Sequence, residues 1–516
     1  MKNGEINYSH SKTVAKGAGL VFIGLIVGRL IGYLTRLVIA RYMGPAEYGI
    51  LVLALSAFSI ASVIGLVGLQ GGLLRFVPEF VGKNENKKIR SAVYYCIKIA
   101  LPLSIFISVG LFFSADFISK NIFHESGLTL ILQIIAASIP FNVVASVFLG
   151  AIMGLKKAEY RILIDDTIKP FSRFIFLLVA VFIGFGLAGA ATAYLISFII
   201  AVVGGLLIIL KLTEKNPIAI TKKEMRCIIS YSWPMMFTSV IFIVMGQIDS
   251  LMIGFFKVAS DVGVYNSALP TVETMVIIPV SMMALFLPVI SELHSRQKLK
   301  EIGEMYKQVV KWILIGCLPL LVAFTLLSAQ ILGILFGDIY VKGAVALSIL
   351  SVGYFVSGVL YPSYDIINLH KKTRYHIYIS VFAMSLNVIL NYFLIPVYGI
   401  IGAAIATSIT YTILALAMTA TAYKLSRLSP FSGNFLRVLV AGGISSILLY
   451  ILVFFIRIDS LFFVAIDAIV FLAAYCILLL VLGAFNKEDL EILKSIQNKT
   501  GIRISFVNKI IRKFVE

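Results

Sequence analysis

The chain has 516 residues, of which 60% are hydrophobic, and its mean hydropathy is +1.00. A soluble domain is about 45–50% apolar, so a soluble chain of several mixed-polarity domains is excluded. The net charge of +19 invites a nucleic-acid reading, but no contiguous basic face on a soluble module is visible, which excludes that partner.

Apolar stretches of 20 or more residues recur from Gly17 to Leu482. Hydrocarbon tolerates only helices or closed barrels. Barrel strands alternate polarity over about ten residues, whereas these runs are longer and do not alternate. An all-α integral membrane fold of about fourteen transmembrane helices is therefore expected. The predicted spans are 17–40, 48–73, 92–114, 128–153, 163–183, 188–210, 228–255, 263–290, 312–329, 344–368, 376–395, 400–422, 438–456 and 461–484. The first run carries no cleavage signal and is about twice the length of a signal-peptide core, so it reads as a retained helix.

In chain order, the first span brings Arg29 and Arg36, seven residues apart and so on one face, about 10.5 Å from each other. It also carries Gly24, Gly28 and Gly32, a doubled GxxxG that lets a neighbouring backbone approach closely. Lys98, two turns from the end of the third span, reaches water by snorkelling. The fifth span holds Asp165, Asp166, Lys169 and Arg173, with Pro170 interrupting the helix and freeing a carbonyl. Either an aspartate neutralises Lys169 locally, or the stripe faces a cavity. Arg173 is deeper and has no acidic residue one turn further in, so a cavity is its expected setting.

Later spans carry Asp249, Glu273, Asp365 and Asp467. Salt bridges to intramembrane arginines are the plainer role. The functional alternative is that Glu273 or Asp249 takes a proton or a cation during transport, and Pro279 marks a bend beyond Glu273. Asn387 and Asn391, an i, i+4 pair, read as interhelical hydrogen-bonding groups. Trp233 and Trp312 read as interfacial anchors. Cys96, Cys227, Cys317 and Cys476 form no CxxC pair, and His10, His124, His294, His370 and His376 are scattered, so no metal site is proposed. The tail from Asn486 mixes apolar and basic residues like a helix held by anionic lipid at the cytoplasmic surface.

Five of the 44 lysines and arginines lie inside spans. Of the rest, 34 lie in the amino terminus, every second connection and the tail, against five in the opposite loops (Arg41, Lys120, Lys257, Lys342 and Arg457). By the positive-inside rule, both termini are cytoplasmic in a multi-pass cell-membrane protein. The sequence also repeats. Leu37, Ile39, Gly49, Ala54 and Leu55 match Leu251, Ile253, Gly263, Ala268 and Leu269 at an offset of 214. GLAGAATA at 186–193 matches GIIGAAIA at 399–406 at 213, and Lys156-Lys157 with Tyr160 recurs as Lys371-Lys372 with Tyr375 at 215. Two pseudo-symmetric six-helix bundles, 1–210 and 211–424, two additional helices within 425–485 and a basic tail from 486 are therefore expected, with the substrate site at the repeat interface.

The segments RLVIARYMGPAEYGILVLALS (36–56), DVGVYNSA (261–268) and LNYFLIPVYGIIGAAIAT (390–407) resemble the prokaryotic polysaccharide flippases of the Wzx type. These belong to the superfamily that also holds the multidrug MATE antiporters and the lipid II flippase. The resemblance runs over nearly the whole chain and implies movement of a polyprenyl-diphosphate-linked oligosaccharide to the outer leaflet by alternating access. It implies no catalysis and no cofactor beyond coupling to H+ or Na+. The cargo, membrane lipids and a polysaccharide polymerase or glycosyltransferases are the implied partners. Arginine suits a diphosphate because it offers bidentate donors to phosphate oxygens, so Arg29, Arg36, Lys169 and Arg173 are the expected substrate-binding residues. A cation-coupled multidrug antiporter would need a cavity dominated by acids. A membrane glycosyltransferase or polymerase would need a larger outer loop than the longest here, near 115–127. No P-loop is present, so this chain does not hydrolyse ATP.

Overall fold

The computed structural model describes residues 2–455 and 461–485. Among them every regular element is a helix, and eleven helical stretches are long and apolar enough to cross a membrane. The fold is all-α and multi-pass, as run length and the need to satisfy every backbone group in hydrocarbon require. The basic tail and Arg457 lie outside the described residues.

The first two predicted spans form α1 (Lys2–Leu66), broken only at Gly44, whose φ of 79° and ψ of 175° are followed by Pro45. The second span was expected to reach residue 73. Instead the chain turns at Val67 and Gly68, both left-handed, and starts α2 (Leu69–Gly82). Leu69, Leu73, Val77 and Phe80 form the buried stripe of this amphipathic helix. Then follow α3 (Lys87–Phe117), α4 (Leu128–Ala136), α5 (Ile139–Gly154) and the single turn α6 (Ala158–Arg161). A π-helical segment, Ile162–Ile168, leads into α7 (Lys169–Ile183), and α8 (Gly186–Leu212) returns along it.

Helix α9 (Lys222–Phe256) opens on a capping box, Thr221 with Glu224. The eighth predicted span is divided into α10 (Ala259–Glu273) and α11 (Ile277–Ser295) by a 3₁₀ turn at Thr274–Val276. The break thus falls at Met275, four residues before Pro279, whose ring crowds that carbonyl and whose missing N–H leaves it unbonded. Helices α12 (Leu299–Leu326), α13 (Ser328–Phe336), α14 (Ala344–Val359) and α15 (Pro362–Leu369) follow, then α16 (Arg374–Tyr398), α17 (Ile400–Ser426), α18 (Gly433–Phe455) and α19 (Leu461–Val481). The tenth predicted span is therefore two helices, with Pro362 opening the second.

The described residues divide into two compact units, one ending at Ser267 and one beginning at Ala268. In the first, α1 packs on α3, α5, α7, α8 and α9. In the second, α14 packs on α12 and α17, and α16 packs on α17. Positions matched by the sequence repeat share backbone geometry. Lys156 and Lys371 are both left-handed, with φ of 58° and 56°, and so are Gly186 and Gly399, with φ of 55° and 57°. A methyl group added to Gly49 would lie 1.8 Å from the Ala259 carbonyl oxygen, and one on Gly263 would lie 1.9 Å from that of Pro45. Gly49 and Gly263 match at 214, as do Pro45 and Ala259. The contact is therefore reciprocal between the two pairs of positions related by 214 residues.

Candidate functional site

Helix α1 meets the π-helical segment and α7 through its small residues. A methyl group on Gly28 would lie 1.9 Å from the Asp166 carbonyl oxygen, and one on Gly24 would lie 2.5 Å from Ile162 Cγ2, while Gly32 meets nothing within 4 Å. Two turns of the glycine stripe thus act as expected and the third does not. This backbone contact sets the positions of the charges beside it.

Arg29 and Arg36 are exposed on α1, next to that contact. Lys169 and Arg173 are half-buried on α7. Arg29, Arg161 and Lys169 all act electrostatically on the Asp166 carboxylate, and Arg36 lies close enough to act on Arg173. The structure thus gathers the four basic residues singled out from the sequence into one neighbourhood at the seam of α1 and α7. Within it, Lys169 pairs with Asp165, and Arg161 lies 3.8 Å from the same carboxylate. Local neutralisation of Lys169 is therefore present.

Arg173 is treated differently. Its guanidinium carbon sits 4.0 Å from the centroid of the Tyr194 ring and 5.7 Å from that of Phe198, both on α8. Lys169 Nζ is 5.8 Å from the Phe198 centroid. Arg173 Nε and Asp166 Oδ2 are shielded from solvent and make no hydrogen bond among the described residues. Buried polar atoms are normally satisfied, so these two are the open valences of the neighbourhood. The π-helical turn at Asp165 and Asp166 widens the helix where they stand, a distortion frequent at functional sites.

The two acidic candidates lie elsewhere. Asp249 is buried on α9 and accepts a 2.7 Å hydrogen bond from the Tyr265 hydroxyl. Glu273 is exposed at the end of α10. Asn387 bonds between helices as expected, its Nδ2 donating to Thr407 Oγ1 of α17 at 3.1 Å, whereas Asn391 Nδ2 donates within α16 to Asn387 Oδ1 at 3.0 Å.

Sequence reasoning missed Tyr194 and Phe198. Their only mark is aromatic spacing of i, i+4 just after GLAGAATA, which also suits plain core packing. It also missed a histidine cluster in the second unit. His294 and His370 have ring centroids 5.9 Å apart, and His376 stacks on Tyr364 at 5.4 Å. Burial, and then the neighbouring His294, hold the His370 imidazole below its ordinary pKa. Among the described residues no group of side chains has metal-binding geometry.

This is the build of a membrane transporter. Residues 14–294 match the sequence profile of the polysaccharide biosynthesis protein family, and residues 234–393 match that of MatE. The chain belongs to the polysaccharide biosynthesis protein family. It is 24% identical to the probable flippase AglR of Haloferax volcanii, over 85% of this chain and 90% of that one. It is 24% identical to the membrane protein MJ1068 of Methanocaldococcus jannaschii, over 79% and 83%. Its fold is similar to that of the lipid II flippase MurJ in an inward closed conformation, with a TM-score of 0.73 and 17% identity, covering 89% of this chain and 97% of MurJ.

Proposed function

We propose that this chain is a membrane flippase that carries a polyprenyl-diphosphate-linked oligosaccharide from the cytoplasmic to the outer leaflet. The observation that carries the reading is the cationic neighbourhood of Arg29, Arg36, Lys169 and Arg173, which outnumbers Asp165 and Asp166 beside it. A cation inside the bilayer costs at least about 2.5–3.5 kcal/mol, and a diphosphate head group offsets that cost with charge-assisted, bidentate hydrogen bonds. The relatives support it, since AglR is named a probable flippase and MurJ a lipid II flippase.

In this reading the chain is two six-helix repeats, 1–210 and 211–424, with two further helices within 425–485, both termini cytoplasmic, and fourteen crossings in all. The basic tail lies on the anionic inner leaflet. Transport proceeds by alternating access, and Glu273 or Asp249 takes the coupling H+ or Na+. A polysaccharide polymerase or glycosyltransferases consume the delivered glycan. A multidrug antiporter is disfavoured because a cationic drug would be repelled by the α1–α7 cluster.

The test is a liposome assay in which a fluorescent polyprenyl-diphosphate oligosaccharide becomes accessible to a quencher on the far leaflet. ATP-independent transfer above that of protein-free liposomes is expected. Transfer no faster than in protein-free liposomes, or equal transfer of a cationic dye, would sink the reading.

A further inference from the structure

The cation of Arg173 is held on aromatic faces, while its Nε is left without an acceptor. We propose that Tyr194 and Phe198 are positioning residues that present Arg173, and secondarily Lys169, to the phosphate-bearing head group of the cargo. This rests on the flippase reading above and adds two residues that act through the cations rather than on the cargo.

The physical case starts from what a buried cation needs. A carboxylate partner would compensate its desolvation but would also cancel its charge and occupy its donors. An aromatic face compensates the charge through the ring quadrupole and takes no N–H in a hydrogen bond. The Tyr194 hydroxyl also hydrogen-bonds the Arg173 guanidinium, and with Nε left unpartnered a guanidinium held in this way still keeps donors for phosphate oxygens. The two halves of the neighbourhood show both solutions. Lys169 is paired to Asp165, so its charge is largely spent locally. Arg173 has its shortest cation–ring contact at 4.0 Å to Tyr194 and appears in no ion pair with a carboxylate among the described residues.

The shelf is built to hold still. Lys169 and Arg173 are one turn apart on α7, and Tyr194 and Phe198 are one turn apart on α8, so two cations face two rings in register. Both rings are buried, Tyr194 at 7% exposure and Phe198 at 5%. Phe198 is backed by Phe58 of α1, with ring centroids 5.0 Å apart. Gly189, five residues before Tyr194, lets α8 close on α7: a methyl group there would lie 2.7 Å from Ala180 Cβ. Packing therefore fixes the rings, and the rings fix the cation.

The experiment uses the full chain in detergent micelles and a polyprenyl diphosphate without sugar as the probe. Tyr194→Leu should weaken probe binding by about tenfold to thirtyfold, the size of a desolvated cation–π contact. Tyr194→Phe should cost less, about twofold to threefold, because the face remains and only the hydroxyl's bond to the guanidinium is lost. Phe198→Leu, at the longer contact, should cost about twofold to threefold. In an Arg173→Ala background Tyr194→Leu should have no further effect on affinity, whereas a merely structural role would give additive losses. Should Tyr194→Leu fail to fold, replacement of Tyr194 by trifluorophenylalanine keeps the ring's shape and drains its face, and affinity should still fall. An unchanged affinity in that replacement, or additive losses in the double variant, would overturn the proposal and leave the flippase reading standing. No binding of the probe by the unaltered chain would overturn both.

Discussion

The helix pair α7–α8 of the first unit and the pair α16–α17 of the second occupy matching places in the sequence repeat, and they agree in packing but not in chemistry. Ala180 and Leu394 match at 214, and Gly189 and Gly402 match at 213. In each pair the glycine packs against its counterpart: a methyl group on Gly189 would lie 2.7 Å from Ala180 Cβ, and one on Gly402 would lie 2.3 Å from the Leu394 carbonyl oxygen. Further along the same seam, Arg173 sits over Tyr194 in the first pair. At the matching positions Asn387 donates to Thr407 in the second. Close approach of two helices in a bilayer depends on small residues and leaves little freedom. The polar pair across the seam is free to differ, and one repeat carries a cation where the other carries an amide.

The largest effect that tests this division comes from removing the cation. Arg173→Ala should lower flipping about tenfold to a hundredfold, as expected for hydrogen bonds to a charged group at about 1.5–3 kcal/mol, while the protein still folds and inserts. Arg29→Ala and Arg36→Ala should act in the same direction, and lysine at any of the three should rescue only in part, because a point charge lacks the bidentate fork. Asn387→Ala should leave affinity for a polyprenyl diphosphate within about twofold, since an amide carries no charge to attract the diphosphate and its Nδ2 is already donated to Thr407. Flipping and probe binding are the two measurements. Equal loss of probe affinity in the Arg173 and Asn387 variants would end the proposed division. Recovery of activity when Arg173→Glu is combined with Glu273→Arg or Asp249→Arg would make the arginine a structural partner instead.

How much of this was legible beforehand follows the same line. The membrane class, the boundary between the first two spans and the gathering of four basic residues follow from run length and desolvation cost; the Gly44-Pro45 signal at the α1 break was missed. The repeat was legible because the packing glycines are its most constrained members. The amphipathic helix α2 was missed because the basic connection at 74–92 masked the buried stripe of Leu69, Leu73 and Val77. The divided spans at α10–α11 and α14–α15 escaped because hydropathy averages across a short turn. Tyr194 and Phe198 were not legible as parts of the site: a buried aromatic on a transmembrane helix looks the same whether it packs against leucine or holds a cation, and only the distance to Arg173 distinguishes them.

A second, smaller contrast concerns the shared packing. Gly402→Ala should destabilise more than Gly189→Ala, because the new methyl meets the carbonyl oxygen of Leu394 in one case and side-chain carbons of Ala180 and Phe185 in the other. The overlap is deeper at Gly402, 2.3 Å against 2.7 Å, and overpacking costs about 1–3 kcal/mol. Unfolding in mixed micelles should place Gly402→Ala lower than Gly189→Ala, with both below the unaltered chain. The reverse order would mean that the first pair is the more tightly packed of the two.

The smallest effect belongs to Thr407→Val. The change removes the acceptor that Asn387 Nδ2 uses at 3.1 Å and keeps the volume. Asn387 does not lose all its partners, because its Oδ1 still accepts from Asn391 Nδ2 at 3.0 Å. Interhelical hydrogen bonds in membranes average about 0.6 kcal/mol, because the unfolded chain in a membrane also finds partners. A loss of that order in mixed-micelle unfolding is expected, with no change in probe affinity. The matched change in the first pair, Tyr194→Leu, should do the opposite and lower affinity more than stability. If Thr407→Val instead cost well over about 2 kcal/mol, above the largest such bond, the second pair would be a keystone of its unit rather than the plainer copy. The two seams would then differ in structural weight as well as in chemistry.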